Sequence, residues 1–432
     1  MINIDMINFV NEAFKKYVLQ RAARYFDGDL KLQFDGSAYV ITFKNGTPVD
    51  VKITGADVPA DLFINATDEQ WKKMLSVSPP PFYNSLFIGS MYHGFKISSG
   101  VKALQYKYLL DELLRQLRAF YNNDGFVEVD PLPVKPNVRT EPVIGRYIYI
   151  VVDGIEYRVY YEEAGQGIPF LLQHTAGANN QEYRFMMNDP ELTKDFRFIA
   201  HDLPYHGKSL PPENYPWWNN EYKLTLDFLL KFYDAFINAL QLHRPAYMGC
   251  SMGGHLAADL AYYCPEKFRA TVGIGAALAT ASEVTDDKAN KMAENLKWRH
   301  DNPQVSNMEI ATTNEAVVAL KPYATQNTQR EVGWDYGNAY PGIYAGDCYY
   351  YSFDHNLTGK AQDIDTTKCA LYLLTGTYDP GTPPYTTQAL ADQVKGSKLT
   401  FMEGVGHYAM LEAYPTFKKY FMPIAEEIKT LK

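Results

Sequence analysis

The chain is poor in cysteine: Cys250, Cys264, Cys348 and Cys369 are the only four in 432 residues. Their scattered positions lack metal-ligand spacing, so no metal site is expected, and reduced thiols in a cytoplasmic protein are the plain reading. No run of about 18 apolar residues occurs, and the mean hydropathy is −0.30, which argues against a membrane span. No basic segment followed by a short apolar one opens the sequence, so a secretory leader is not expected. Positive charge is also in deficit, 41 Lys and Arg against 50 Asp and Glu, for a net charge of −9. Phosphate binding needs clustered cations, so a nucleic-acid partner is not expected. Internal repeats and long low-complexity tracts are missing too.

Apolar residues are plentiful, at 46% of a chain longer than one ordinary domain, enough to fill two cores. The first part alternates as strands at 30–34, 38–43, 49–53 and 61–65, with Asn45-Gly46 as a hairpin signal. Helical patterns run from Met6 to Arg24 and from Tyr106 to Tyr121, and Thr67 or Asp68 caps a helix start. This α+β layout over residues 1–122 resembles the sterol-carrier-protein-2-like family, which implies an apolar tunnel and a lipid-like ligand. An accessory or dimerisation domain with a filled core, and hence a homo-oligomer, is the alternative. The Pro-rich stretch Asp130-Pro131-Leu132-Pro133 marks a stiff linker, placed at 123–143.

The most informative segment is Gly249-Cys250-Ser251-Met252-Gly253-Gly254, between a short apolar strand and a helix-forming run. A sharp strand-to-helix turn there strains Ser251 and lifts its hydroxyl above the sheet. A hydroxyl needs a base, an acid to orient that base, and donors for an oxyanion. Apolar strands at 371–376 and 399–402 open into loops bearing Asp379 and His407, in the order serine, acid, histidine. Upstream, the strand 169–173 ends in His174-Thr175-Ala176-Gly177, a small-residue loop where a backbone N–H from Thr175 or Ala176, with that of Met252, can meet an oxyanion. His174 reads as a structural residue that fixes this loop, and the turn-rich loop from Asp202 to Ser209 reads as architectural. Cys250 reads as a small core residue beside the nucleophile.

From residue 144 to 432 these motifs resemble the α/β-hydrolase family. The resemblance implies a mainly parallel eight-stranded sheet with helices on both faces, no cofactor, and a triad of Ser251, Asp379 and His407. Thr175 stands where many members have glycine, which leaves open which N–H completes the oxyanion hole. Relatives that open epoxides or displace halide carry aspartate at the position of Ser251, which argues against both reactions here.

About 95 residues separate the strand ending at Ile274 from the one starting at Ala370, far more than a crossover helix needs. The surplus, at about 277–367, is expected to form a cap. It is rich in aromatics, among them Trp298, Trp334, Tyr336, Tyr340, Tyr344, Tyr349, Tyr350, Tyr351 and Phe353. Most of these are expected to pack the cap; His174, Trp334, Tyr336 and Tyr350 are the candidates for a substrate pocket. The expected activity is hydrolysis of a small-molecule hydrophobic or aromatic ester through an acyl-enzyme. Thioester, lactone or C–C bond hydrolysis, perhydrolase or lyase chemistry, and a non-catalytic binding module stand as alternatives.

Overall fold

The computed structural model describes residues 2, 4–98, 100–123, 139–280, 311, 326–340 and 342–431. It divides into two compact units, Met1–Asn137 and Val138–Lys432. Most of the expected linker, 124–138, lies outside the described residues.

In the smaller unit, strands β1 (Gly28–Gln33), β2 (Ala38–Lys44), β3 (Thr47–Thr54), β4 (Leu62–Asn65) and β5 (Lys96–Ile97) form one sheet in the order β3-β2-β1-β4-β5. Asn45 and Gly46 take positive φ (48° and 75°), as a tight turn between antiparallel β2 and β3 demands. Thr67 caps the helix Asp68–Leu75 in a capping box with Gln70. The helical pattern from Met6 to Arg24 is broken: helices Met6–Ala13 and Tyr17–Ala23 are separated at Phe14, whose carbonyl accepts a side-chain bond from Gln20. Phe9, Phe26, Phe43 and Trp71 fill the interior, and Trp71 Nε1 donates to the Gln33 carbonyl.

The larger unit is built on β6 (Ile144–Val152), β7 (Ile155–Gly165), β8 (Ile168–Gln173), β9 (Phe196–His201), β10 (Ala246–Cys250), β11 (Ala270–Ile274), β12 (Ala370–Gly376) and β13 (Lys398–Met402). Their order is β13-β12-β11-β10-β8-β9-β7-β6, parallel except where β7 pairs with β6 and β9. The expected mainly parallel eight-stranded sheet is therefore present. β10 and β11 are buried along their whole length, so they read as apolar runs without alternation. Helices Leu226–Ala239 and Met252–Tyr263 belong to one core layer, and helix Tyr414–Thr430 to the other. Phe170 lies at the centre of the second layer, 5.5 Å from the rings of Phe196 and Phe198 and 6.0 Å from that of Phe421.

Of the insertion, 281–310, 312–325 and 341 lie outside the described residues, Trp298 with them. The described part holds helices Gln326–Gly337 and Ile343–Tyr349 and the π-helical turn Tyr350–Asp354. Its two ends meet, through a bridge between Ala279 and Asn356 and a 2.8 Å bond from Leu357 N to the Leu278 carbonyl.

Phe170→Ala removes a fully buried ring from a packed aromatic cluster. It is expected to destabilise the larger unit by about 3–5 kcal/mol, read as a shift of that unit's urea unfolding midpoint; a change under about 1 kcal/mol contradicts the close packing.

Candidate functional site

Ser251 sits between β10 and the helix Met252–Tyr263 with φ 55° and ψ −112°, a conformation that side chains rarely adopt. Its amide donates to the Ile274 carbonyl of β11 at 2.8 Å, which fixes the turn to the centre of the sheet. The glycines are steric necessities. A Cβ on Gly249 would lie 2.4 Å from the Gly253 backbone, one on Gly253 2.9 Å from Gln173, and one on Gly254 2.3 Å from the Ile274 carbonyl.

Asp379 and His407 lie on the loops after β12 and β13, beside this turn. His407 Nδ1 donates to Asp379 Oδ1 at 2.7 Å, and both side chains are buried. The same carboxylate oxygen accepts the amides of Gly381 and Thr382, each at 2.9 Å, so the acid is held by its own loop before it meets the ring. Gly381 lies flat against the imidazole: a Cβ there would be 2.8 Å from His407 Cε1. Cys250 Sγ donates to the His407 carbonyl at 3.2 Å, which ties the histidine loop to the residue before Ser251. Burial pushes that thiol well above its ordinary pKa, so it stays a neutral packing group. No hydrogen bond joins the Ser251 hydroxyl to His407 among the described residues; catalytic bonds of this kind commonly close only around a substrate.

The loop after β8 completes the site. Thr175 N donates to Glu182 Oε2 at 3.0 Å, and Gly177 N donates to Asp347 Oδ2 at 2.7 Å. His174 Nδ1 donates to the Thr175 carbonyl at 2.7 Å, while its Nε2 accepts the Leu203 amide at 3.1 Å. Burial pushes the Glu182 carboxyl well above the usual range, which favours its neutral acid. Among the described residues no intramolecular bond takes the N–H of Ala176, or that of Met252 at the start of its helix. Two donors are thus left uncommitted beside the Ser251 turn.

Two buried histidine pairs join the insertion to this framework. His206 donates from Nδ1 to the Pro204 carbonyl (3.0 Å) and from Nε2 to Asp347 Oδ2 (2.8 Å), and its ring lies 4.7 Å from that of His174. His355 donates from Nδ1 to Asp259 Oδ2 and from Nε2 to the Ala277 carbonyl, both at 2.8 Å, and stacks at 4.9 Å on His255, whose Nδ1 accepts the Ala277 amide. Burial disfavours charge on all four rings, yet the Asp347 and Asp259 carboxylates overcome it and raise the pKa of His206 and His355. His174 and His255 are pushed well below the ordinary value, first by burial and then by the cationic neighbour. In each pair, then, the proton is favoured on one ring, His206 or His355, and disfavoured on its neighbour, His174 or His255.

The sequence-read residues separate here. Asp379 and His407 are bonded to each other and His407 is tied to Cys250, the residue before Ser251, while His174, Thr175 and Ala176 follow β8, the strand paired with β10 that leads into Ser251 and Met252. Tyr336, buried, bonds Tyr408 through the two hydroxyls at 2.7 Å, and its ring together with that of Tyr344 faces Gly177. Tyr350 is fully buried in the core, donating to Asp259. Trp334 is 73% exposed and lines a polar cavity of about 640 Å³ with Arg184, Lys208 and Asp335. Asp259, Asp347 and His355 carry no local sequence signal, because their partners lie far along the chain, whereas Glu182 meets Thr175 within the same loop region.

Residues 168–414 match the family model described as alpha/beta hydrolase fold. Among curated proteins the chain is similar to the bifunctional epoxide hydrolase 2 of Sus scrofa, 27% identical over 191 residues, 44% of this chain and 29% of that protein. It is also similar to the 2-hydroxymuconate semialdehyde hydrolase of Pseudomonas sp. (strain CF600), 31% identical over 145 residues, 32% of this chain and 46% of that protein. The match spans less than half the length of either relative. Among solved structures, a thermophilic esterase from Thermogutta terrifontis superposes with TM-score 0.57 at 17% identity, covering 66% of this chain and 99% of the esterase. The enol-lactonase from Burkholderia xenovorans LB400 gives TM-score 0.53 at 17% identity, covering 65% and 100%. Likeness at such identity is one of fold.

Alanine ordinarily stabilises a helix relative to glycine by about 1 kcal/mol. At Gly254 the sign reverses, because the new Cβ would press on the Ile274 carbonyl; Gly254→Ala should lower the thermal midpoint, and an unchanged or higher midpoint shows that the turn is looser than described.

Proposed function

The chain belongs to the α/β-hydrolase family, and within it we propose a serine hydrolase that cleaves a carboxylic ester bearing a bulky hydrophobic or aromatic group. The observation that carries this reading is the bonded His407–Asp379 pair beside a strained Ser251, with two backbone N–H groups left uncommitted at the same place. His407 Nε2 takes the proton as Ser251 Oγ attacks the carbonyl carbon, and Asp379 orients the ring and stabilises its cationic form. The N–H groups of Met252 and Ala176 receive the oxyanion. Thr175 is set aside for that role because its N–H already serves Glu182. Collapse of the intermediate breaks the ester C–O bond; His407 returns the proton to the leaving alcohol, and water then repeats the cycle on the acyl-enzyme. The rings of Tyr336 and Tyr344 against Gly177 support an aromatic or bulky apolar substrate group.

Hydrolysis of a C–C bond on the same residues is the second reading, favoured by the relative whose name carries a semialdehyde hydrolase. Epoxide opening is disfavoured, since a serine stands at the turn where such relatives use aspartate.

A fluorophosphonate probe is expected to label the wild-type chain and not Ser251→Ala. A panel of esters, lactones and vinylogous diketones then separates the two readings by the highest kcat/KM; a folded wild-type chain that takes no label overturns both. Gly381→Ala, which displaces the His407 ring, should lower kcat by on the order of a hundredfold while the fold persists by circular dichroism, and a kcat within twofold of wild type would count against His407 as the base.

A further inference from the structure

The two peptide planes that flank Ala176 are held from outside the loop. The plane before it is anchored at the Thr175 carbonyl by the His174 ring (2.7 Å), and the plane after it at the Gly177 N–H by the Asp347 carboxylate (2.7 Å). Asp347 belongs to the insertion helix Ile343–Tyr349, yet its side chain is fully buried and all its partners belong to the main body of the unit. Oδ2 accepts from Gly177 and from His206 Nε2 (2.8 Å), and Oδ1 accepts from the Tyr222 hydroxyl (3.0 Å). Both ring nitrogens of His206 face oxygens, Asp347 Oδ2 and the Pro204 carbonyl, which only the imidazolium satisfies fully.

We propose that Asp347, neutralised by His206, is a positioning residue for the oxyanion donor: it fixes the Ala176–Gly177 peptide and with it the direction of the Ala176 N–H. The inference rests on the serine-hydrolase reading given above. Two physical consequences make it testable. Donors aimed at developing charge act through preorganisation, so a small rotation of the loop costs turnover and transition-state binding while leaving ground-state binding nearly alone. A bare carboxylate hydrogen-bonded to the peptide next to the donor would also oppose an oxyanion, so the cation on His206 is needed during turnover.

The second consequence has a definite sign. The groups facing His206 are Asp347 from the insertion, Asp202 from its own loop, the neutral His174 from the loop after β8, and the Tyr222 hydroxyl. Burial lowers its affinity for a proton, and the charge and hydrogen bond of Asp347 more than offset this, so the folded pKa lies above the ordinary value. The ion pair is therefore complete below the ordinary histidine pKa and is lost as pH rises through the raised one. An alkaline limb in kcat is expected there.

The test compares the full chain with Asp347→Asn and His206→Gln on a p-nitrophenyl ester. Inhibition by a trifluoromethyl ketone is measured alongside; Ser251 Oγ adds to its carbonyl carbon, the proton passes to His407, and the product is an oxyanion. Expected for Asp347→Asn is a fall in kcat on the order of a hundredfold, a matching loss of ketone affinity, KM and product-acid inhibition within about threefold, and disappearance of the alkaline limb. A kcat within twofold of wild type in the folded variant, or an unmoved alkaline limb, overturns the proposal. Should Asp347→Asn not fold, the wild-type profile and Tyr222→Phe decide: a flat kcat above neutral pH together with unchanged turnover in Tyr222→Phe overturns it as well. Fluorophosphonate labelling lost in Ser251→Ala establishes the underlying reading independently of Asp347, and its failure in wild type overturns both.

Discussion

The turn at Ser251 is the constraint around which the larger unit is arranged. A non-glycine residue at φ 55° costs on the order of 1–3 kcal/mol, and it persists only where the surroundings leave no alternative. Those surroundings are β10 in mid-sheet, the amide bond to Ile274, and three glycines whose missing side chains let helix and strands close on one another. Because the neighbouring strands run parallel, their loops arrive at the same edge, and acid and histidine follow from β12 and β13 without further device.

The insertion shares the apolar core through Tyr350, Leu357 and Ala361. To that packing it adds two buried carboxylate joints, each matched to a histidine with both nitrogens engaged. Breaking one partner of a buried pair leaves a charge without compensation, a heavier penalty than the pair's net worth. Such joints favour one seating of the insertion over near alternatives. The neutral rings of His174 and His255 transmit that seating, the first to the Thr175 carbonyl and the second to the Ala277 amide.

Much of this was legible from residue order alone where the cause is local. Strand-forming runs followed by small or turn-forming residues placed Ser251, Asp379 and His407 at strand ends, and Asn45-Gly46 marked a real turn. The helical pattern around Met6 to Arg24 does not show the break near Phe14, because periodicity does not register a carbonyl captured by Gln20. What stayed hidden is long-range. Asp347 meets Gly177 across 170 residues and Asp259 meets His355 across 96, and no spacing rule reaches that far. Aromatic content in the insertion likewise could not separate Tyr336, which faces Gly177, from Tyr350, which is sunk in the core against Asp259, or from Trp334 at the surface.

The buried joints also bear on how such a chain can diversify. Insertions over a conserved body are commonly pictured as exchangeable modules, swapped to change what the body accepts. Here Asp347 and His355 are contributed by the insertion, while Gly177, His206, Tyr222 and Asp259 belong to the body. A graft from another protein would strand the buried His206 imidazole, the Gly177 amide and the Asp259 carboxylate unless it brought an acid and a histidine to the same points. Body and insertion are therefore chemically matched parts, and a change at a joint in one calls for a compensating change in the other.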